Sequence, residues 1–137
     1  MNSSIFEKTY LAIVSGHLKE NKGIINAPIA RKENSIIERQ VSENGQIAIT
    51  HYKVLQDFKN YSLVECSLET GRTHQIRVHM AYIGNPLLGD TLYGSLVHDL
   101  INRQALHSYK MSFIHPITRK KISLKAPLSS DMENLIF

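Results

Sequence analysis

The segment Leu68-Glu69-Thr70-Gly71-Arg72-Thr73-His74-Gln75-Ile76-Arg77-Val78-His79-Met80 constrains this chain more than any other. Two arginines, two histidines and a glutamine crowd the point where a strand should give way to a helix. Gly71 can supply the tight backbone, and Thr73 is placed to cap a helix over 73–83. At about 100° per residue, Ile76, Met80 and Ile83 form one apolar stripe. Val78 and Tyr82 form a second, with Ala81 between them. A helix that is apolar on most sides is a buried helix. Arg77 projects from it, and a buried guanidinium needs a partner. Positions three and four away are Thr73, His74, Met80 and Ala81, so that partner must come from another segment, another molecule or a ligand.

The rest of the chain reads as short strands. Phe6 to Val14 carries Tyr10, Ala12 and Val14 on one face and Leu11 and Ile13 on the other, the pattern of a central strand. Gly23 to Ala30 is a second extended stretch, broken by Pro28, and the polar residues 31–45 read as a solvated loop. Gln46 to Leu55, a turn over Asp57 to Asn60, and Tyr61 to Glu69 make an antiparallel hairpin. Gly84-Asn85-Pro86 stops the helix. Residues 84–104 read as loop with one helical turn near Val97 to Ile101. Ser108 to Ile114 and Lys121 to Lys125 are strands around a Pro116-centred turn. A short helix follows Pro127, capped by Ser129 or Ser130 and ending near Ile136. The fold class is α+β: a mixed, mostly antiparallel curved sheet with one buried helix and a short C-terminal helix.

The 137 residues amount to one domain or part of one. A net charge of +4 suits a polyanionic partner without demanding one. The single cysteine, Cys66, forbids an intrachain disulfide, which fits a reducing cytoplasm; it shares a face with Val64 and Leu68 and reads as a buried small hydrophobe. No run of about 18 apolar residues is present, so no membrane span is expected. Seven histidines raise the question of a metal, but their spacing forms no His-Glu-x-x-His pattern and His74 and His79 are five apart; no metal site is expected.

The segment from Leu68 to Met80 resembles the third motif of the RluA-type pseudouridine synthases, which modify uridine in ribosomal and other structured RNA. The likeness continues through Gly84-Asn85-Pro86-Leu87-Leu88-Gly89-Asp90, Tyr93-Gly94, Arg103-Gln104-Ala105-Leu106-His107 and Phe113-Ile114-His115-Pro116. Lys8-Thr9-Tyr10-Leu11-Ala12-Ile13-Val14 resembles the family's second motif, and Asn85 stands where the family often has His. The resemblance implies RNA as partner (ribosomal or transfer RNA foremost), no cofactor and no metal. It also implies a nucleophilic aspartate in a His-Arg-Leu-Asp motif, expected a few tens of residues before Lys8. No such motif is found among these residues, which start Met1-Asn2-Ser3-Ser4. The expectation is a single partial catalytic domain over 1–137, the C-terminal part, inactive by itself.

By this resemblance Arg77 pairs with the catalytic aspartate and holds it ionised, and Tyr10 stacks on the target base. A carboxylate nucleophile in a dry site needs such a fixed cation. Read without the family, Arg77 could be a surface arginine on the helix flank and Tyr10 a core tyrosine. Arg72, just before the helix, suits a phosphate, with His74 and Gln75 lining the same RNA-binding site; capping and support of Arg77 is the equal alternative for all three. Gly89, Asp90, Tyr93 and Gly94 read as scaffold, with Asp90 bonding a turn. His107 and His115 read as structural. Lys110, Arg119, Lys120, Lys121 and Lys125 form a basic face that either tracks an RNA backbone or is merely solvated. Two alternatives stand beside a synthase domain: an RNA-binding remnant or split half that needs a partner chain, and a fragment that self-associates through an exposed sheet edge.

Overall fold

The computed structural model describes residues 6–95, 100–115 and 117–136. The expected Pro116 turn centre and most of the expected helical turn at Val97 to Ile101 lie outside them. Six strands form one sheet: β1 (Phe6–Ser15), β2 (Lys22–Asn26), β5 (Ile49–Asp57), β6 (Tyr61–Leu68), β7 (Leu106–Ile114) and β8 (Lys121–Lys125). Their order is β2-β5-β6-β1-β7-β8, and every neighbouring pair is antiparallel. Two helices, α1 (Gln75–Tyr82) and α2 (Ser130–Ile136), complete an α+β domain.

Alternation along β1 decides how the layers stack. Ala12 and Val14 enter one core with Ile76 and Met80 of α1, and Tyr10 packs against it. Leu11 and Ile13 enter a second core, on the other face, with Met132 of α2. Strand β1 is thus covered on both sides, which is why nearly every residue of it past Tyr10 is apolar. Val78 leaves α1 at a third angle and meets Ile29 and Ala48. The far end of the expected stripe is not buried: Tyr82 is 61% exposed and Ile83 stands at the surface beside it. Cys66 is fully buried in the first core, and burial pushes its thiol up to about 12.

Residues 31–45 are not simply a loop. Ile29–Arg31 (β3) and Arg39–Val41 (β4) pair as a small hairpin, with Ile29 opposite Val41. Charge had hidden a three-residue strand anchored by two apolar side chains.

Three devices brace the region after α1. The Asn85 amide donates to the carbonyls of Ser15 and His17 at 2.8 and 3.2 Å, fastening the end of β1. Gly89 sits at φ +74°, where a Cβ would lie 2.0 Å from the Arg103 carbonyl oxygen. Only glycine fits there. Arg103 grips Asp131 through two 2.9 Å bonds, which holds α2 against the sheet.

Candidate functional site

The entry to α1 is built differently from a Thr73 cap. His74 is the N-cap residue, in the left-handed region at φ 57°, and it makes no side-chain cap bond. The turn is stabilised by Gln75 instead. Its Oε1 accepts from the Thr70 hydroxyl and the Arg72 amide, and its Nε2 donates to the Ile49 carbonyl and the Thr50 hydroxyl. Thr50 donates on to Nδ1 of buried His79, whose Nε2 donates to the Ala27 carbonyl. Every side-chain polar atom of Gln75, Thr50 and His79 has a partner, so this relay can be buried without an unsatisfied group. The expected RNA contact from Gln75 does not fit, because its amide is spent on its own protein.

Burial pushes the His79 pKa down, and only the Ala27 carbonyl opposes that. A neutral ring with its proton on Nε2 satisfies both bonds.

Arg77 has its carboxylate within the chain. Its Nε and Nη2 bind the two oxygens of Asp90, each at 2.9 Å, with the Asp90 side chain fully buried and that of Arg77 13% exposed. This corrects two expectations together. Arg77 is not waiting for a first partner, and Asp90 does more than bond its turn: its backbone carbonyl accepts from the Ser95 amide while its side chain holds Arg77. The bonds from Asp90 hold Arg77 firmly protonated. The pair fixes the guanidinium plane and uses two of its three nitrogens, leaving Nη1 outside the pair.

Tyr93 is the hub of this corner. Its ring lies under the Arg77 guanidinium at 5.0 Å, and its hydroxyl accepts from the Arg39 amide and donates to His74 Nδ1 at 2.6 Å. Burial, then the charges of Arg77 and Arg39, push the His74 pKa down, so the ring stays a neutral acceptor. These bonds tie the β3–β4 hairpin, the start of α1 and the 3₁₀ turn Thr91–Tyr93 into one unit.

Beside this unit lies a cleft of about 340 Å³. Tyr10, Arg72, His74, Gln75 and Arg77 all line it, joined by Gln104 and Leu106. Residues expected from sequence to share a site thus converge from β1, the 70–74 loop and α1. Tyr10 is half-buried and sits beside an irregularity in the β1–β7 register between Thr9 and Tyr10. Bulges there re-aim side chains. Arg72 donates from Nε to the Ile47 carbonyl at 2.7 Å, which steers its head along the cleft rim.

No carboxylate lines the cleft among the described residues. Asp57 accepts from Ser62, Asp90 holds Arg77, and Asp131 holds Arg103. No group of His, Cys, Asp and Glu among the described residues could hold a metal ion. The residues missed from sequence are Asp90, Tyr93 and Gln104. The signal was present in the pattern Gly89-Asp90-x-x-Tyr93-Gly94, but its contacts are long-range.

The sheet brings Tyr10 and the Asp90-braced Arg77 to one cleft, and comparison with known proteins gives that arrangement a family. Residues 1–82 match the family model described as RNA pseudouridylate synthase. The chain belongs to the RNA pseudouridine synthase family, in its RluA-type branch. It is 48% identical to the uncharacterized RNA pseudouridine synthase YjbO of Bacillus subtilis, over 98% of this chain and 47% of that protein. It is 45% identical to ribosomal large subunit pseudouridine synthase D of Zymomonas mobilis, over 93% of this chain and 43% of that one. The structure superposes on human RNA pseudouridylate synthase domain containing 1 with a TM-score of 0.78 at 28% identity, covering 91% of this chain and 56% of that one. The chain spans about half the length of the curated relatives it matches.

Proposed function

We propose that the cleft receives a uridine turned out of a structured RNA, ribosomal or transfer RNA foremost, and that this chain carries part of the catalytic machinery for converting it to pseudouridine. The observation that supports this best is the meeting of Tyr10 and the Asp90-braced Arg77 in one cleft. Tyr10 offers an aromatic face for a flipped base. Nη1 of Arg77 offers a fixed positive group to the carboxylate that attacks the nucleoside, favouring its ionised form. That carboxylate is not among the described residues. The carboxylate bonds to C1′ as the N-glycosidic bond breaks; the detached uracil turns, its C5 bonds to C1′ and releases the carboxylate, and the C5 proton is then lost while N1 takes one up. Arg72, at the rim, meets a backbone phosphate. His74 acts through Tyr93 rather than by touching RNA. No cofactor and no metal is required, and a cytoplasmic location goes with this substrate.

The test is pseudouridine formation in a structured RNA with the purified 137-residue protein. No product above background is expected. Turnover by this chain alone would show that one of its own carboxylates is the nucleophile. RNA binding is expected to be salt-dependent and weakened by Arg72→Ala. Self-association along the outer edge of β8 is disfavoured, because an antiparallel copy would bring Lys121 and Lys125 together. Sedimentation at rising concentration is expected to show a monomer.

A further inference from the structure

A second concavity, of about 370 Å³, lies on the other side of Arg72 from the tyrosine cleft, between the β3–β4 hairpin and the start of α1. Arg31, Arg39 and Arg72 converge on it, with Asn44, Gln46 and Thr73 adding neutral polar groups. Arg31 and Arg39 stand directly opposite each other across the hairpin. Like charges so placed destabilise a strand pair. Nothing described in the molecule relieves them. Of the carboxylates nearby, Glu38 is committed to Lys32 at 2.9 Å, and among the described residues the Arg39 guanidinium bonds to the carbonyls of Ile36 and Glu38. The contrast with Arg77 and Arg103, each held bidentately by an aspartate, is plain.

The geometry points to a phosphate subsite: Arg31 and Arg39 receive RNA backbone phosphates next to the nucleotide in the tyrosine cleft, and Arg72 is the shared wall. This rests on the cleft reading above and extends it to the flanking strand. Two arginines that repel across a strand pair are relieved when a polyanion lies over them, so bound RNA steadies the hairpin. The hairpin is already joined to the cleft, because the Arg39 amide donates to the Tyr93 hydroxyl, and Tyr93 supports both His74 and Arg77. An anion held by Arg39 therefore bears on the element that fixes the Arg77 guanidinium.

The experiment is fluorescence anisotropy of a labelled, uridine-bearing RNA stem-loop with the full chain, titrated at several salt concentrations. Losing one phosphate contact makes the slope of log K against log salt shallower by about 1. Arg31→Ala and Arg39→Ala are each expected to do so, and the double variant by about 2. Thermal melting of the variants is expected to be unchanged or higher than the parent, since a repulsion is removed. Lys120→Ala and Lys121→Ala, on the distant basic face, are expected to leave the slope alone. Tyr10→Ala removes stacking without charge; it should weaken binding by roughly 5- to 150-fold at an unchanged slope. An unchanged slope in Arg31→Ala and Arg39→Ala, with Tyr10→Ala still weakening binding, overturns the subsite and spares the cleft. Shallower slopes with no effect of Tyr10→Ala overturn the cleft reading. A slope lost through Lys120 and Lys121 instead moves the backbone track to the other face and overturns the subsite.

Discussion

The Arg77–Asp90 pair makes an asymmetric prediction. In Arg77→Ala the Asp90 carboxylate, with no solvent exposure, loses its only described counter-charge. Breaking a buried pair from that side costs roughly 3–5 kcal/mol. In Asp90→Ala the remaining guanidinium is 13% exposed, borders the cleft and still lies over the Tyr93 ring. It can take water from the cleft, so the cost falls to roughly 1–2 kcal/mol. Removing both charges leaves a modest packing defect, roughly 2–3 kcal/mol. The double variant should therefore fall short of the summed single effects by at least about 1 kcal/mol. Urea denaturation followed by circular dichroism measures all three. At roughly 3 °C per kcal/mol for a chain of this size, the melting temperatures should rank parent, Asp90→Ala, double, Arg77→Ala. Equal single effects, Asp90→Ala as the worse variant, or additivity within about 0.5 kcal/mol would refute the idea that burial makes Asp90 the dependent partner.

Further expectations concern stability and reactivity. The neutral His79 ring is favoured by the fold, so the unfolded chain binds more protons below the ordinary value of 6.5; stability is complete above that pH and declines as pH falls through it. Thermal melts from about pH 7.5 to about 5.5 should show the decline, and His79→Gln should flatten it. Gly89→Ala drives a methyl into the Arg103 carbonyl and should cost about 3 kcal/mol, whereas Gly84→Ala, with positive φ but open space, should cost about 1 kcal/mol. Chemical denaturation of the two variants compares them directly. Cys66, buried with its pKa near 12, should react with iodoacetamide only as fast as the protein opens; rapid labelling of the native state would contradict its place in the core.

Local pattern in the sequence was enough for several features. The two-faced alternation of β1, the hairpin of β5 and β6, the placing of α1 and the burial of Cys66 all follow from periods of 2 and 3.6 residues, because burial acts on each side chain where it stands. The segment from Leu68 to Met80 likewise announced the family and carries Arg72, His74 and Arg77, while Tyr10 was read from the separate segment Lys8 to Val14. What pattern could not supply was pairing at a distance. Asp90 lies 13 residues beyond Arg77, and Tyr93 reaches Arg39 across 54. Nothing in either neighbourhood says which polar group a buried side chain will meet. Tertiary packing made that choice: it removed water from Asp90, aimed it at Arg77, consumed Gln75 internally, and brought three arginines of separate segments to one concavity. Charge obscured the β3–β4 hairpin for the same reason, since only Ile29 and Val41, meeting across a gap in the chain, reveal that it folds.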